Sequence, residues 1–187
     1  MTQYGTYCTQ IGPDGSGHER CGAACLASVL LNDGWQSDPY ELMVQIADQE
    51  GITDRGCTSS QLISAADARG LNGRLWYTAE ELVQALVGGE AGLVLCDNQY
   101  LEPRAYPAGY QWEATHWIRI YALSDFEELA YVYDPLAYIP QKDGSIFQGP
   151  TAMTLEGILN AVRATPYAEA GVILTSRQGR DLNKPPV

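Results

Sequence analysis

The sequence predicts an α+β fold in which helices occupy the first half of the chain and strands the second half. Helix-capping signals recur between residues 38 and 81, whereas runs rich in Ile, Val, Trp and Tyr occupy 116–123 and 130–134. This order differs from the strict strand–helix alternation of a doubly wound parallel sheet. Because 187 residues match the size of one domain, we expect a single domain over 1–176 and a polar C-terminal tail over 177–187.

Four helices are predicted before residue 90. The run 22–31 is apolar nearly all round, which fits a buried helix, and N-D-G at 32–34 ends it. The other three helices begin at capping signals, in which a side chain accepts a hydrogen bond from a free N–H of the first turn. Their predicted ranges are 39 to about 50, about 59–70 and about 79–88.

Four strands and one more helix are predicted in the second half. The strands are short runs of apolar, β-branched and aromatic residues at 91–96, 116–123, 130–134 and 171–175. Apolar residues at 155, 158, 159 and 162 lie on one face of a helix. Residues 97–115 contain Pro and Gly and predict a long loop.

The charge balance argues against two classes of partner. The chain carries 11 Lys and Arg against 23 Asp and Glu, a formal net charge of −12, which disfavours nucleic acid and anionic membranes. Because the chain contains neither a run of 18 apolar residues nor a signal-peptide pattern near its start, we expect a cytoplasmic location and no membrane partner. The five cysteines are then expected to be reduced thiols, and no cofactor or metal is expected.

Cys21 is the first candidate for chemistry because it directly precedes the apolar helix. A helix N-terminus presents unpaired N–H groups and a partial positive charge, and both favour the nucleophilic thiolate. Gly22 follows and allows close approach to the backbone. The structural alternative is that Cys21 is merely a small buried residue, as most unbridged cysteines are.

His116 and Asp134 are the second candidate group, at the ends of two strands joined by a short loop. If Leu123 pairs with Leu129, Asp134 faces Ile118 and lies diagonal to His116, within side-chain reach. Each residue alone also fits a structural role, as a strand-opening histidine or as part of an Asp-Pro turn. Together with a helix-start cysteine they match the logic of nucleophile, base and orienting carboxylate.

An oxyanion hole would complete such a site. The backbone N–H of Cys21 is one natural donor, and a side-chain amide from the preceding loop would be another. Gln10 and Gln3 are the two upstream glutamines, and Gln10 is the nearer one. The loop that separates them from Cys21 leaves the choice open.

Three segments carry a resemblance to a known family. The run C-G-A-A-C-L-A-S-V-L-L is followed by T-H-W-I-R-I-Y-A-L and then by Y-V-Y-D-P-L. In this order they resemble papain-like cysteine peptidases, most of all the bacteriocin-processing, double-glycine-leader peptidases and their relatives. The resemblance covers residues 8–175. Ala23 stands where the family usually has Pro. The 187 residues contain no transporter segment, so we do not expect an export-coupled role.

The resemblance implies a papain-like fold, with an N-terminal helical lobe packed on a C-terminal antiparallel sheet and an active-site cleft between them. It implies that Cys21 is the nucleophile, His116 the base, Asp134 the orienting residue and Gln10 the oxyanion donor. The implied activity is hydrolysis of a peptide or isopeptide bond through a thioester acyl-enzyme. The implied partner is a peptide or protein substrate.

Four alternatives stay open at this point. Cys25 is a rival nucleophile, although its place one helical turn inside favours Cys21. The same triad would serve an acyltransferase of the transglutaminase type, in which an amine replaces water. A papain-like scaffold also serves as a catalytically silent binding module. Finally, a zinc site from His18, Cys21 and Cys25 is an alternative, but its H-x-x-C-x-x-x-C spacing lacks a clear fourth ligand and the usual paired C-x-x-C knuckles.

Overall fold

The computed structural model confirms the predicted α+β class, with a six-stranded antiparallel sheet and helices packed on it. It describes residues 8–10, 19–53, 55–101, 115–136, 139–140, 146–147, 151–168 and 170–184. Gln3, His18 and most of the predicted loop 97–115 lie outside these ranges.

Five α-helices lie among the described residues, and three of them begin at the predicted capping signals. Their bounds are α1 Cys21–Asn32, α2 Pro39–Gln49, α3 Ser59–Asp67, α4 Ala79–Val87 and α5 Leu155–Arg163. Asp38 accepts hydrogen bonds from the first turn of α2, while Thr58 and Thr78 form complete capping boxes at α3 and α4. No helix among the described residues is both long and apolar enough to cross a membrane.

The strands of the structure are numbered in chain order. Their bounds are β1 Leu71–Trp76, β2 Ala91–Asp97, β3 Thr115–Leu123, β4 Leu129–Tyr133, β5 Ile139–Pro140, β6 Ile146–Phe147, β7 Thr151–Thr154 and β8 Gly171–Ser176. The main sheet has the strand order β1-β8-β2-β3-β4-β7, and every neighbouring pair is antiparallel. A separate two-stranded ribbon pairs β5 with β6.

Helices cover both faces of the sheet, and the described residues form two hydrophobic cores. Helices α1, α2 and α3 build the first core, which includes Leu26 of α1 and Trp117 of β3. Helices α4 and α5 build the second core, where Leu82 and Ile158 meet Ile118 of β3. Because β3 is buried on both faces from His116 to Tyr121, apolar and polar residues do not alternate along it.

Two strands of the main sheet were not predicted. Residues 71–76 read L-N-G-R-L-W, with little β propensity in the middle, yet β1 pairs with β8 from Leu71↔Ser176 to Trp76↔Gly171. The short β7 pairs with β4 at the opposite edge. In both strands, pairing with a neighbour distant in sequence outweighs a weak local preference.

The segment expected to be a polar tail contributes to the first core. Leu182 is fully buried, and its carbonyl accepts hydrogen bonds from Arg119 Nη2 at 2.6 Å and Asn32 Nδ2 at 3.0 Å. Burial lowers the pKa of the Arg119 guanidinium to about 10, which still leaves it charged at neutral pH. The segment around Leu182 is thereby hydrogen-bonded to α1 and to the middle of β3.

Leu182→Ala is expected to lower the free energy of unfolding by about 2–4 kcal/mol, because it leaves a cavity in the first core. Lys184→Ala, which truncates a side chain that is 77% exposed, should change it by less than about 0.5 kcal/mol. Urea denaturation of both variants provides the measurement. Equal stability of the two variants would show that the C-terminal segment contributes nothing to the core.

Candidate active site

Cys21 is the first residue of α1 and is nearly buried, with 6% of its surface exposed. The first hydrogen bond of the helix runs from Ala24 N to Arg20 O, so the N–H groups before Ala24 have no acceptor within the helix. In the described part of the chain no side chain caps this end. The Cys21 sulfur therefore lies at the positive end of the α1 dipole.

His116 and Asp134 form a buried hydrogen-bonded pair. His116 Nε2 lies 2.7 Å from Asp134 Oδ1, and the backbone N–H of Leu136 donates to the same oxygen at 2.8 Å. Burial lowers the pKa of His116, but the charge and hydrogen bond of Asp134, with a hydrogen bond to Cys21, raise it to about 10. The imidazole is therefore held as imidazolium at neutral pH.

The pairing of β3 with β4 brings His116 and Asp134 together, although one predicted contact is wrong. Leu123 pairs with Ala130, not with Leu129. A bulge between Ile120 and Ala122 shifts the register by one residue, and Ile120 then pairs with Val132 in the predicted register. Continuing that register past the end of β4 places Asp134 opposite Ile118 and diagonal to His116.

Cys21 lies beside this pair. Its hydrogen bond and charge are among the causes that raise the pKa of His116, so the thiol and the imidazole are neighbours. Asp134 occupies Nε2 of the imidazole, which leaves Nδ1 as the other polar atom of the ring. The three side chains are therefore grouped in the order thiol, imidazole and carboxylate.

Gln10 is fully buried, and its segment is hydrogen-bonded to the turn that follows Asp134. Its backbone N–H donates to Pro135 O at 3.2 Å, and Thr9 Oγ1 donates to the same carbonyl at 3.4 Å. The segment that carries Gln10 is therefore hydrogen-bonded directly beside the orienting carboxylate. Gln3, the other predicted amide, lies outside the described residues.

The rival thiol Cys25 is held in the core. Its sulfur donates to Trp117 O at 3.5 Å, and burial followed by the charge of Cys21 raises its pKa well above the ordinary value. Cys8 is similar, since burial and Asp38 raise its pKa to about 12. Among these thiols, only Cys21 stands at the helix end with an imidazole partner.

Cys57 is a neighbour of the site that the sequence did not identify. A Cβ placed on Gly22 would lie 2.1 Å from Cys57 Sγ and 3.1 Å from Trp117 Cδ1. The Trp117 indole N–H donates to Cys57 O at 3.2 Å and holds this segment in place. Gly22 suggested that some group approaches the helix start, but nothing local identified that group as Cys57.

The zinc alternative finds no support among the residues described. No group of three or more His, Cys, Asp or Glu side chains in these ranges is arranged to hold a metal ion. His18, one of the three residues of that alternative, lies outside them.

Comparison with known proteins supports the fold through structure alone. No family model and no curated protein matches this sequence. Solved structures do match, and they are C39 peptidase domains, so the fold is that of the papain-like C39 peptidases. The family resemblance of the sequence is confirmed at this level.

Three of these structures span nearly the whole chain. A C39-like peptidase from Bacillus anthracis has a TM-score of 0.64 at 12% identity, covering 92% of this chain and 94% of that one. The peptidase domain of Streptococcus ComA, a bifunctional ABC transporter of a quorum-sensing pathway, has a TM-score of 0.58 at 17% identity, covering 91% and 97%. A double-glycine-motif protease from an AMS/PCAT transporter, in complex with the leader peptide, has 0.54 at 16%, covering 91% and 89%.

The pKa of His116 gives a pH-dependent prediction. Because the folded pKa of about 10 exceeds the ordinary 6.5, the stability that this proton adds is complete below pH 6.5 and is lost as pH rises towards 10. NMR of a His18→Gln variant, in which His116 is the only histidine, should show imidazolium through pH 8.

The matched change is Asp134→Asn in the same background, which removes the charge that raises the pKa. The His116 signal should then titrate at a clearly lower pH, and the loss of stability above pH 6.5 should shrink. An unchanged titration curve in Asp134→Asn would contradict the assigned pair.

Proposed function

We propose that this protein is a cysteine peptidase whose nucleophile is Cys21. The observation that supports this most strongly is the buried His116–Asp134 pair beside a cysteine at a helix N-terminus. The helix end and the imidazolium both favour a thiolate, which is the reactive form of cysteine. A cysteine that only fills space in the core would need neither a helix N-terminus nor an imidazole beside it.

In the proposed acylation step, the Cys21 thiolate attacks the carbonyl carbon of a peptide bond and forms a tetrahedral intermediate. When the C–N bond breaks, the imidazolium of His116 donates its proton to the leaving amine, and a thioester to Cys21 remains. In deacylation, neutral His116 takes a proton from water, and the hydroxide displaces the thiolate. Asp134 stays ionised and keeps the ring aligned.

The oxyanion of both intermediates needs hydrogen-bond donors. The backbone N–H of Cys21 is suited to this role because it has no acceptor within α1. We propose the side-chain amide of Gln10 as the second donor. Its support is the burial of Gln10 and the hydrogen bond that fixes its backbone to the turn after Asp134.

The proposed substrate is a peptide or a peptide segment of a protein. One structure with this fold is a double-glycine-motif protease in complex with the leader peptide, which supports a peptide substrate and makes Gly-Gly sequences the first to test. The net charge of −12 favours neutral or basic peptides over acidic ones.

Cys21→Ala should abolish both peptide cleavage and covalent labelling while it leaves the circular dichroism spectrum unchanged, since only a sulfur is removed. The matched control Cys25→Ala should keep both activities and lose about 1–2 kcal/mol of stability through packing. The measurements are mass spectrometry after sub-stoichiometric iodoacetamide and cleavage of a peptide library that includes Gly-Gly sequences. Preferential alkylation of Cys25, Cys57 or Cys96 would overturn the assignment.

Including a primary amine in the same assay separates hydrolysis from acyl transfer. Hydrolysis yields a peptide with a free carboxylate, and transfer yields the amide of the added amine. The two products differ in mass, so one spectrum decides which acceptor the acyl-enzyme prefers.

Gln10→Ala should lower turnover of the best library peptide by about two orders of magnitude, the usual cost of losing one oxyanion donor. Iodoacetamide labelling of Cys21 should persist, because alkylation builds no oxyanion. Gln36→Ala, at an exposed glutamine after α1, is the matched control and should be fully active. Full activity of Gln10→Ala would transfer the role to another donor without affecting Cys21, His116 and Asp134.

A further inference from the structure

Cys57 directs its sulfur at the start of α1. A Cβ on Gly22 would meet Cys57 Sγ at 2.1 Å, and a C–C bond is about 1.5 Å long, so the sulfur lies within about 4 Å of Gly22 Cα. Consecutive Cα atoms are about 3.8 Å apart, which brings the sulfur within about 8 Å of Cys21 Cα. The two thiols are thus close neighbours in the fold, although they are far apart in sequence.

The surroundings of Cys57 keep its sulfur in this position. The indole N–H of Trp117 holds the Cys57 carbonyl at 3.2 Å, and Thr58, the next residue, caps α3. The Gly22 and Cys57 N–H groups hydrogen-bond to the Cys57 sulfur and favour its thiolate, although burial and then the charge of Cys21 raise the pKa well above its ordinary value. The helix end that activates Cys21 therefore also faces Cys57.

We infer that Cys57 is the resolving thiol of a redox switch, which closes a Cys21–Cys57 disulfide when peroxide oxidises Cys21 and so inactivates the site reversibly. The inference rests on the proposed function, since it requires Cys21 to be the reactive thiolate. The other cysteines fit this role less well. Cys8, Cys25 and Cys96 direct their thiols to the carbonyls of Pro39, Trp117 and His116.

The reaction balances in two steps. The Cys21 thiolate attacks one oxygen of hydrogen peroxide, the O–O bond breaks, and Cys21 sulfenic acid and hydroxide form. The Cys57 sulfur then attacks the Cys21 sulfur; the S–S bond forms, the S–O bond breaks, and the hydroxyl leaves as water with the proton of Cys57. Two electrons pass from the two thiols to the peroxide, and a dithiol reductant returns them.

The oxidation of Cys21 changes the charge beside Cys57 and thereby favours the attack by the Cys57 sulfur. Conversion of the Cys21 thiolate to a neutral sulfenic acid removes the charge that helps to raise the pKa of Cys57. The hydrogen bonds from Gly22 and Cys57 then favour the Cys57 thiolate more strongly against burial. Disulfide formation would also protect Cys21 from irreversible oxidation to the sulfinic acid.

Tryptic mapping tests the inference on the intact chain. Trypsin cleaves after Arg20, Arg55 and Arg69, so Cys21 and Cys57 fall in separate peptides, 21–55 and 56–69. After mild hydrogen peroxide, we expect these peptides to be joined by a bond that dithiothreitol breaks. The same link must form in Cys25→Ala, which leaves Cys21 as the only cysteine of peptide 21–55.

Cys57→Ser is the matched variant. After peroxide it should form no link, should react with dimedone at Cys21, and should not recover iodoacetamide labelling with dithiothreitol once Cys21 has become sulfinic acid. Wild-type protein should recover that labelling fully. Dimedone or sulfinic products at Cys21 of wild-type protein, without the 21–55 to 56–69 link, would overturn the switch and leave the peptidase proposal intact. Failure of Cys21 to alkylate before any peroxide would instead overturn both.

Discussion

The packing of α1 directly against β3 sets the position of Cys21 relative to His116. Three small residues of α1 at i+3 spacing face the strand: Gly22 meets the Trp117 ring, Cys25 donates to Trp117 O, and Ser28 accepts from Arg119. Larger side chains at these positions would push the helix away from β3. That displacement would separate the Cys21 sulfur from His116, which opens the same strand.

The buried His116–Asp134 ion pair adds an electrostatic interaction to this packing. His116 and Asp134 are buried, and such a pair is tolerated only if each partner is well hydrogen-bonded. The Leu136 N–H supplies the second bond to Asp134, and the following Pro135 carbonyl anchors the segment of Gln10. The orienting carboxylate and the proposed oxyanion donor therefore belong to one hydrogen-bonded unit, and a change in this turn would disturb both.

The helix end that would activate Cys21 as the proposed nucleophile would also make it sensitive to oxidation, because a thiolate reacts with peroxides as well as with carbonyls. Gly22 has two consequences at this point. It lets α1 approach Trp117, and it leaves space for the Cys57 sulfur beside the reactive thiol. Catalysis and redox control would then share one structural element, with Gly22 connecting them.

The sequence by itself determined the features that depend on neighbouring residues. The starts of α2, α3 and α4 were predicted because an N-cap bonds within its own turn. Cys21 was placed at a helix start because the apolar run of α1 begins directly after it. Only the tertiary structure decided the pairing of β1 with β8, the bulge that restores the register between His116 and Asp134, and the approach of Cys57 to Gly22. Each of these joins segments far apart in the chain, and the free energy that favours them arises from pairing and burial that no local pattern encodes.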